Sequence, residues 1–203
     1  MCNHYRNNPD IQATLQTWRD YISWSLDPVP ETLESVELDV WPKRTAAVVR
    51  NSSQGAQFDV MRWGVPIRLS GKRPGTSVTK QVTNVRNLAS GFWRSMLTQS
   101  AARCLVPFSQ FAEPPPGGGR REIWFSVSNV PVAAFAAIWR PSESGKCFAF
   151  LTCAPNPLVA PVHPKAMPVI LHPEDYARWL AGGDAATLAT SFPSQLMAVA
   201  DEV

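Results

Sequence analysis

No segment of this 203-residue sequence joins enough apolar residues to cross a bilayer as a helix. The first apolar residues are interrupted by Arg6, Asp10, Arg19 and Asp20, so no secretory leader is read and the expected compartment is the cytoplasm. No two of the four cysteines, Cys2, Cys104, Cys147 and Cys153, stand at C-x-x-C spacing, which argues against a zinc knuckle or a redox dithiol. They are expected as free thiols, with no metal and no cofactor. Charged residues make up only 17% against 45% hydrophobic, a balance that excludes a disordered chain. Repeats, heptads and linker-like stretches are all missing, so residues 1–203 read as a single domain and a monomer.

The charge that is present is unevenly placed. From Met1 to Pro42 two basic residues face seven acidic, from Lys43 to Arg103 eleven face one, and from Cys104 to Val203 six face eight. Either the basic middle third meets a polyanion, whose counterions it displaces, or folding interleaves it with the acidic flanks. Residues 9 to 25 predict a helix, with Pro9 and Asp10 suited to its first turn and Ile11, Leu15, Trp18 and Ile22 on one face. "RTAAVVR" and "AQFDVMRW", joined by "NSSQG", predict a hairpin, "LSGKRPGTSVTK" an exposed basic loop, and "NLASGFWRSML" a short helix. From Arg103 onward "RCLVPF", "EIWFSVSN", "VAAFAAIW", "KCFAFLTC" and "MPVIL" read as strands, followed by a helix over 173–181. The fold class is α+β, β-rich and mainly antiparallel, with helices at its edges.

Cys2 is the cysteine outside an apolar run, whereas Cys104, Cys147 and Cys153 read as buried small hydrophobes. Trimming of Met1 would make Cys2 the terminal residue, joining an amine of pKa about 7.7–8.0 to a thiol of pKa about 8.5. Both nucleophiles are then available at neutral pH. An aldehyde condenses with the amine to an imine, and the thiolate closes a five-membered thiazolidine on the same carbon. Such a terminus needs groups that move protons and hold the substrate's oxygens. Of the three histidines, His172 reads as a helix-start residue, while His163 in "PVHPKAMPVIL" sits where a loop leads into an apolar strand. Glu113, at the end of "PFSQFAE", reads either as a solvated strand end or as a carboxylate poised by partial burial. Asn84 in "VTNVRNL" reads as a turn residue or a site residue.

"MCNHY", Trp63-Gly64 with Pro66, "NVR" at 84–86, "RCLVPFSQFAE" at 103–113 and His163 followed by "MPVIL" occur in the order found in the SRAP (SOS-response-associated peptidase) family, which this chain resembles from Cys2 to about Leu180. The resemblance implies a β-rich SRAP fold that binds single-stranded DNA and captures the ring-opened aldehyde of an abasic site through the terminal cysteine. By position it implies Cys2 as nucleophile, Asn84 holding the sugar, Glu113 and His163 moving protons, and Arg86 on a phosphate. It also implies cleavage before Cys2, action in the cytoplasm at the nucleoid, and no membrane partner. Arg68, Lys72 and Arg73 fit a backbone-binding channel.

The chain departs from the family pattern in four places. Asn3 and His4 stand where Gly and Arg are usual, so a phosphate grip by His4 would depend on its protonation. Ile67 and Arg68 follow Pro66, and Pro114 follows Glu113, which removes two aromatic platforms for bases. "HPKAMP" carries Lys165 where the family has Arg. Three readings are open: a covalent abasic-site sensor with possible lyase activity through the imine, a cysteine hydrolase or peptidase using Cys2 and His163, and a divergent DNA-binding module without the chemistry.

Overall fold

The structure, a computed structural model, describes residues 2–7, 11–25, 31, 33, 36–73, 75–117, 119 and 121–200. The strands in chain order are β1 (His4–Arg6), β2 (Asp39–Val40), β3 (Thr45–Ser52), β4 (Gly55–Trp63), β5 (Val65–Ser70), β6 (Ser77–Val82), β7 (Asn84–Val85) and β8 (Arg103–Phe108). They continue as β9 (Gln110–Glu113), β10 (Ile123–Val127), β11 (Ala133–Ser142), β12 (Gly145–Cys153), β13 (Met167–Pro168), β14 (Ile170–Leu171) and β15 (Met197–Ala200). The helices are short: α1 (Ile11–Trp18), α2 (Gly91–Thr98), α3 (Tyr176–Leu180) and α4 (Ala185–Leu188).

Strands β4, β3, β8 and β11 pair antiparallel in that order, β11 pairs with β12, and β12 returns to β4 in parallel, so five strands close on themselves as a small barrel. Closure removes the exposed edges that such apolar strands would otherwise present. A second, five-stranded sheet runs β15-β10-β9-β1-β2, and β5 and β6 form a separate hairpin.

Alternation along each strand divides the core in two. Ala46, Val48, Met61, Trp63, Val106, Phe108, Phe135, Phe148 and Phe150 join one cluster with Tyr5, Val40, Phe111 and Phe125 of the five-stranded sheet. Their neighbours Ala47, Val49, Leu105, Ala136, Ile138, Ala149 and Leu151 pack outward against Trp18, Trp93, Met96, Trp179 and Leu180 on and near the helices. Strand β11 is buried on both faces, which is why "VAAFAAIW" shows no polar alternation. Ring pairs hold the first cluster, among them Phe108 and Phe135 stacked at 3.8 Å and Trp63 and Phe150 at 5.0 Å.

The expected antiparallel, β-rich architecture with peripheral helices is the one observed. The first helix ends at Trp18, and Pro9 and Asp10 lie outside the described residues. Ile22 is buried even so. The basic loop "LSGKRPGTSVTK" is instead mostly the β5–β6 hairpin, because β-branched and alternating residues in "SVTKQV" support strand on both sides of the Gly-containing turn. "MPVIL" splits into β13 and β14, which pair with different strands. The helix expected over 173–181 opens as a 3-10 turn, Pro173–Asp175, before α3.

Asn7 joins the two sheets. It is wholly buried, its side-chain amide donates to Pro107 O at 2.6 Å and Ala47 O at 3.3 Å, and its Oδ1 accepts from Ala47 N at 3.1 Å. Replacing it strands buried backbone groups of β3 and β8, each costing about 1–3 kcal/mol. Asn7→Ala is therefore expected to lose about 3 kcal/mol or more in urea unfolding; a loss below about 1 kcal/mol would contradict this assignment.

Candidate active site

Strand β1 runs between β2 and β9, with His4 opposite Ala112, Tyr5 opposite Phe111 and Tyr5 opposite Val40. That pairing carries Cys2, two residues before the strand, into the interior, where it is fully buried in the cluster with Tyr5 and Trp63. Its thiol donates to His4 O at 3.4 Å. Burial, followed by the negative charge of Glu113, holds this thiol well above its ordinary pKa. The freely available thiolate expected from the sequence is thus not the resting form; a buried anion beside a carboxylate is disfavoured. Met1 lies outside the described residues.

Asn84 opens β7, a two-residue strand laid parallel on Phe150 and Leu151 of β12. It is 5% exposed, and its amide donates to Cys2 O at 3.4 Å and to Thr83 Oγ1 at 2.8 Å. Its Oδ1 is buried with no hydrogen-bond partner among the described residues, placed to accept from an amine or a hydroxyl. Glu113 ends β9 beside Ile123 of β10 and is completely buried. Burial, helped by the charge of Glu122, raises its carboxyl from 4.5 to about 7. A group balanced there both accepts and returns a proton near neutrality. The poised reading of Glu113, rather than the solvated strand end, is the one that fits.

His163 is half-buried in a loop in which its Nδ1 meets Ala166 O at 2.6 Å. Ala166 N approaches the same nitrogen at 3.3 Å, so Ala166 fixes the orientation of the ring. Arg86, two residues after Asn84, donates to Lys165 O at 3.2 Å. The His163 loop is thereby tied to the same strand that carries Asn84. Arg86 and Lys165 are exposed at this join. Arg68 lies on β5, where its Nε donates to Ser77 Oγ at 2.9 Å, and Lys72 and Arg73 are exposed at the hairpin tip.

His4 is differently placed. Its ring is buried on the outer face of the five-stranded sheet, with Nδ1 2.6 Å from Glu122 Oε2 and Nε2 3.3 Å from Asp39 Oδ1. It stacks on Trp41 at 3.8 Å and meets the edge of Trp124 at 4.7 Å. Held between two carboxylates and stacked on Trp41, the ring is not an open phosphate grip.

Sequence reasoning passed over Tyr5, Trp41 and Glu122. Tyr5 and Trp41 lie in short strands or next to them, and Glu122 reaches the site only through the β9–β10 pairing, so no local pattern marks them. Of the cations from Lys43 to Arg103, only Arg50 is in an ion pair among the described residues, with Asp59 at 2.6 Å. Among the described residues, no carboxylate of the acidic flanks forms an ion pair with the basic middle third.

Comparison with known proteins identifies the family. The family model described as SOS response associated peptidase (SRAP) matches residues 1–202. No curated protein matches. Among solved structures, a protein from Bordetella bronchiseptica is 22% identical with a TM-score of 0.72, covering 100% of both chains. One from Bacteroides thetaiotaomicron is 19% identical with a TM-score of 0.71, over 97% of this chain and 90% of that one. A phage-related protein from Bordetella bronchiseptica is 16% identical with a TM-score of 0.64, over 97% and 92%. These structures share the fold.

The raised Glu113 carboxyl makes stability depend on pH. Between about 4.5 and 7 the folded chain keeps a proton that the unfolded chain has released, so stability is greatest below this window and falls as pH rises through it. The full loss is about 3 kcal/mol at most. Glu113→Gln is expected to flatten this decline, measured as unfolding free energy from pH 4.5 to 8; parallel profiles for the two proteins would refute it.

Proposed function

The chain belongs to the SRAP family, and from that premise we propose that it is an abasic-site sensor which binds single-stranded DNA and joins to it covalently through Cys2. It acts in the cytoplasm at the nucleoid, after removal of Met1. The observation that carries this reading is the Asn84 amide bonded to the Cys2 carbonyl, beside a buried carboxyl that titrates near neutrality. The chemistry balances without a cofactor. The Cys2 amine adds to the sugar aldehyde, and loss of water gives the imine. The thiol then adds across the C=N bond, its sulfur to carbon and its proton, by way of Glu113, to nitrogen, closing the thiazolidine. Glu113 is fit for that transfer because a thiol held protonated by burial must give up its proton as the ring closes. His163 moves the proton of the carbinolamine, Asn84 orients the sugar, and Arg86, with Lys165 beside it, takes a flanking phosphate.

A hydrolytic reading has one observation in its favour, the word peptidase in the family's description. It assigns Cys2 as a thiol nucleophile with His163 as base and requires peptide turnover in the absence of DNA.

Protein beginning at Cys2 is expected to form a heat-stable adduct with uracil-glycosylase-treated single-stranded DNA, seen as an intact-mass increase. Cys2→Ala abolishes it, and Asn84→Ala slows it roughly 10²-fold. Undiminished adduct from Cys2→Ala sinks the assignment, and normal DNA binding with no adduct from the trimmed protein identifies a binding module instead.

A further inference from the structure

Trp41 and the turn after it lie outside the constellation around Cys2. Trp41 is 45% exposed although one face of its ring is stacked on His4 at 3.8 Å and an interplanar angle of 19°. His4 is itself fixed by Glu122 and Asp39, and Asp39 is further bound by Arg6 Nε at 3.2 Å. The indole is therefore a rigid plate backed by a buried ring. An exposed flat aromatic held in one orientation is what a nucleobase stacks on.

The chain then turns back on itself. Arg44 N donates to Trp41 O at 3.0 Å, Lys43 N to Trp63 O at 2.8 Å and Trp63 N to Arg44 O at 2.8 Å. This clamp holds Lys43 at a φ of 74°, a left-handed conformation that is strained for a residue with a Cβ. Strain of this kind persists where surrounding bonds over-determine it, and it marks places with a use. Lys43 lines a concavity of about 560 Å³ together with Arg62, Thr79, Lys80 and Gln81. Three cations, a hydroxyl and an amide face it with no carboxylate in the lining, and none of the three is ion-paired among the described residues. Like charges gathered without a counter-charge repel one another unless an anion joins them.

We propose that Trp41 with Lys43, Arg62 and Lys80 forms a nucleotide subsite of its own, in which a base stacks on Trp41 and its phosphodiester is held by the three cations. The occupant is a nucleotide of single-stranded DNA flanking the one presented to Cys2, and in naming that occupant the inference rests on the proposed function. The subsite supplies, from the β2–β3 turn, an aromatic platform that the residues after Pro66 and after Glu113 do not. The carboxylates nearest Trp41 do not oppose it, since Asp39 is bound by both Arg6 and His4 and Glu122 by His4.

The test uses undamaged single-stranded thymidine 15-mer and a Cys2→Ala background, so that affinity is read without covalent capture. Fluorescence anisotropy is measured across a series of salt concentrations, with thermal melting to confirm that each variant folds. The K43A/R62A/K80A variant is expected to bind more weakly and to lose about 0.7 from the slope of log affinity against log salt, the share of the one phosphate that the three cations hold. Trp41→Ala is expected to weaken binding roughly 5- to 150-fold with the slope unchanged, and Trp41→Phe to restore most of it. Parental affinity and slope in both variants overturn the proposal. So does failure of the parent to bind the 15-mer, or binding of thymidine monophosphate as tight as that of the 15-mer. Adduct formation by the Cys2 protein on abasic DNA is scored separately. Its absence, with the affinity effects intact, removes the crosslinking chemistry and leaves the subsite; its presence, with those effects missing, does the reverse.

Discussion

The pairing of β1 on both edges, which holds Cys2 at the inside of a sheet, is the constraint on which the rest of this structure depends. Ordering so short a strand costs entropy that its contacts must repay. Here β1 is paired on both edges, and Asn7 fastens its end to backbone groups of β3 and β8. The Cys2 carbonyl can then be met by Asn84 from β7, which pairs with β12 of the barrel, and Glu113 can be brought in on the neighbouring strand β9. The closed barrel is the rigid body against which that anchoring works, because its rings leave no room for β1 to slide. A shift of one residue would exchange Tyr5 for His4 at the core face and bury an imidazole among phenyl rings.

The electrostatics follow the same division. Carboxylates near Cys2 are buried or bound to His4 and Arg6, where they set proton affinities. Arg62, Arg68, Lys72, Arg73 and Lys80, on β4, β5 and β6 and the turn between the last two, have no carboxylate partner among the described residues. Negative charge thus governs the reacting groups, while positive charge is free for something outside the molecule.

Much of this was legible in the sequence because it is written at period two. The apolar strands from Arg103 onward, the β3–β4 hairpin and α2 each declare themselves locally, and the uneven charge survives folding. What escaped is what the pairing of distant strands creates. Glu122 has no meaning at the site until β10 lies beside β9, and Trp41 none until β2 lies beside β1. His4 follows the nucleophile closely in the chain yet points to the opposite face of the sheet from Tyr5, so nearness in sequence is a poor guide to nearness in chemistry. Between β5 and β6 the sequence carries Gly71, Pro74 and Gly75, residue types that read as a loop and mask the alternation on either side.

The pairing of β1 with Gln110–Glu113 also sets a clock during synthesis. At about 5–20 residues per second, the partner strand leaves the ribosome roughly 5–20 s after the first residues do. For that interval β1 has only β2 to join, so the pocket around Cys2 and Glu113 assembles only once β9 has emerged.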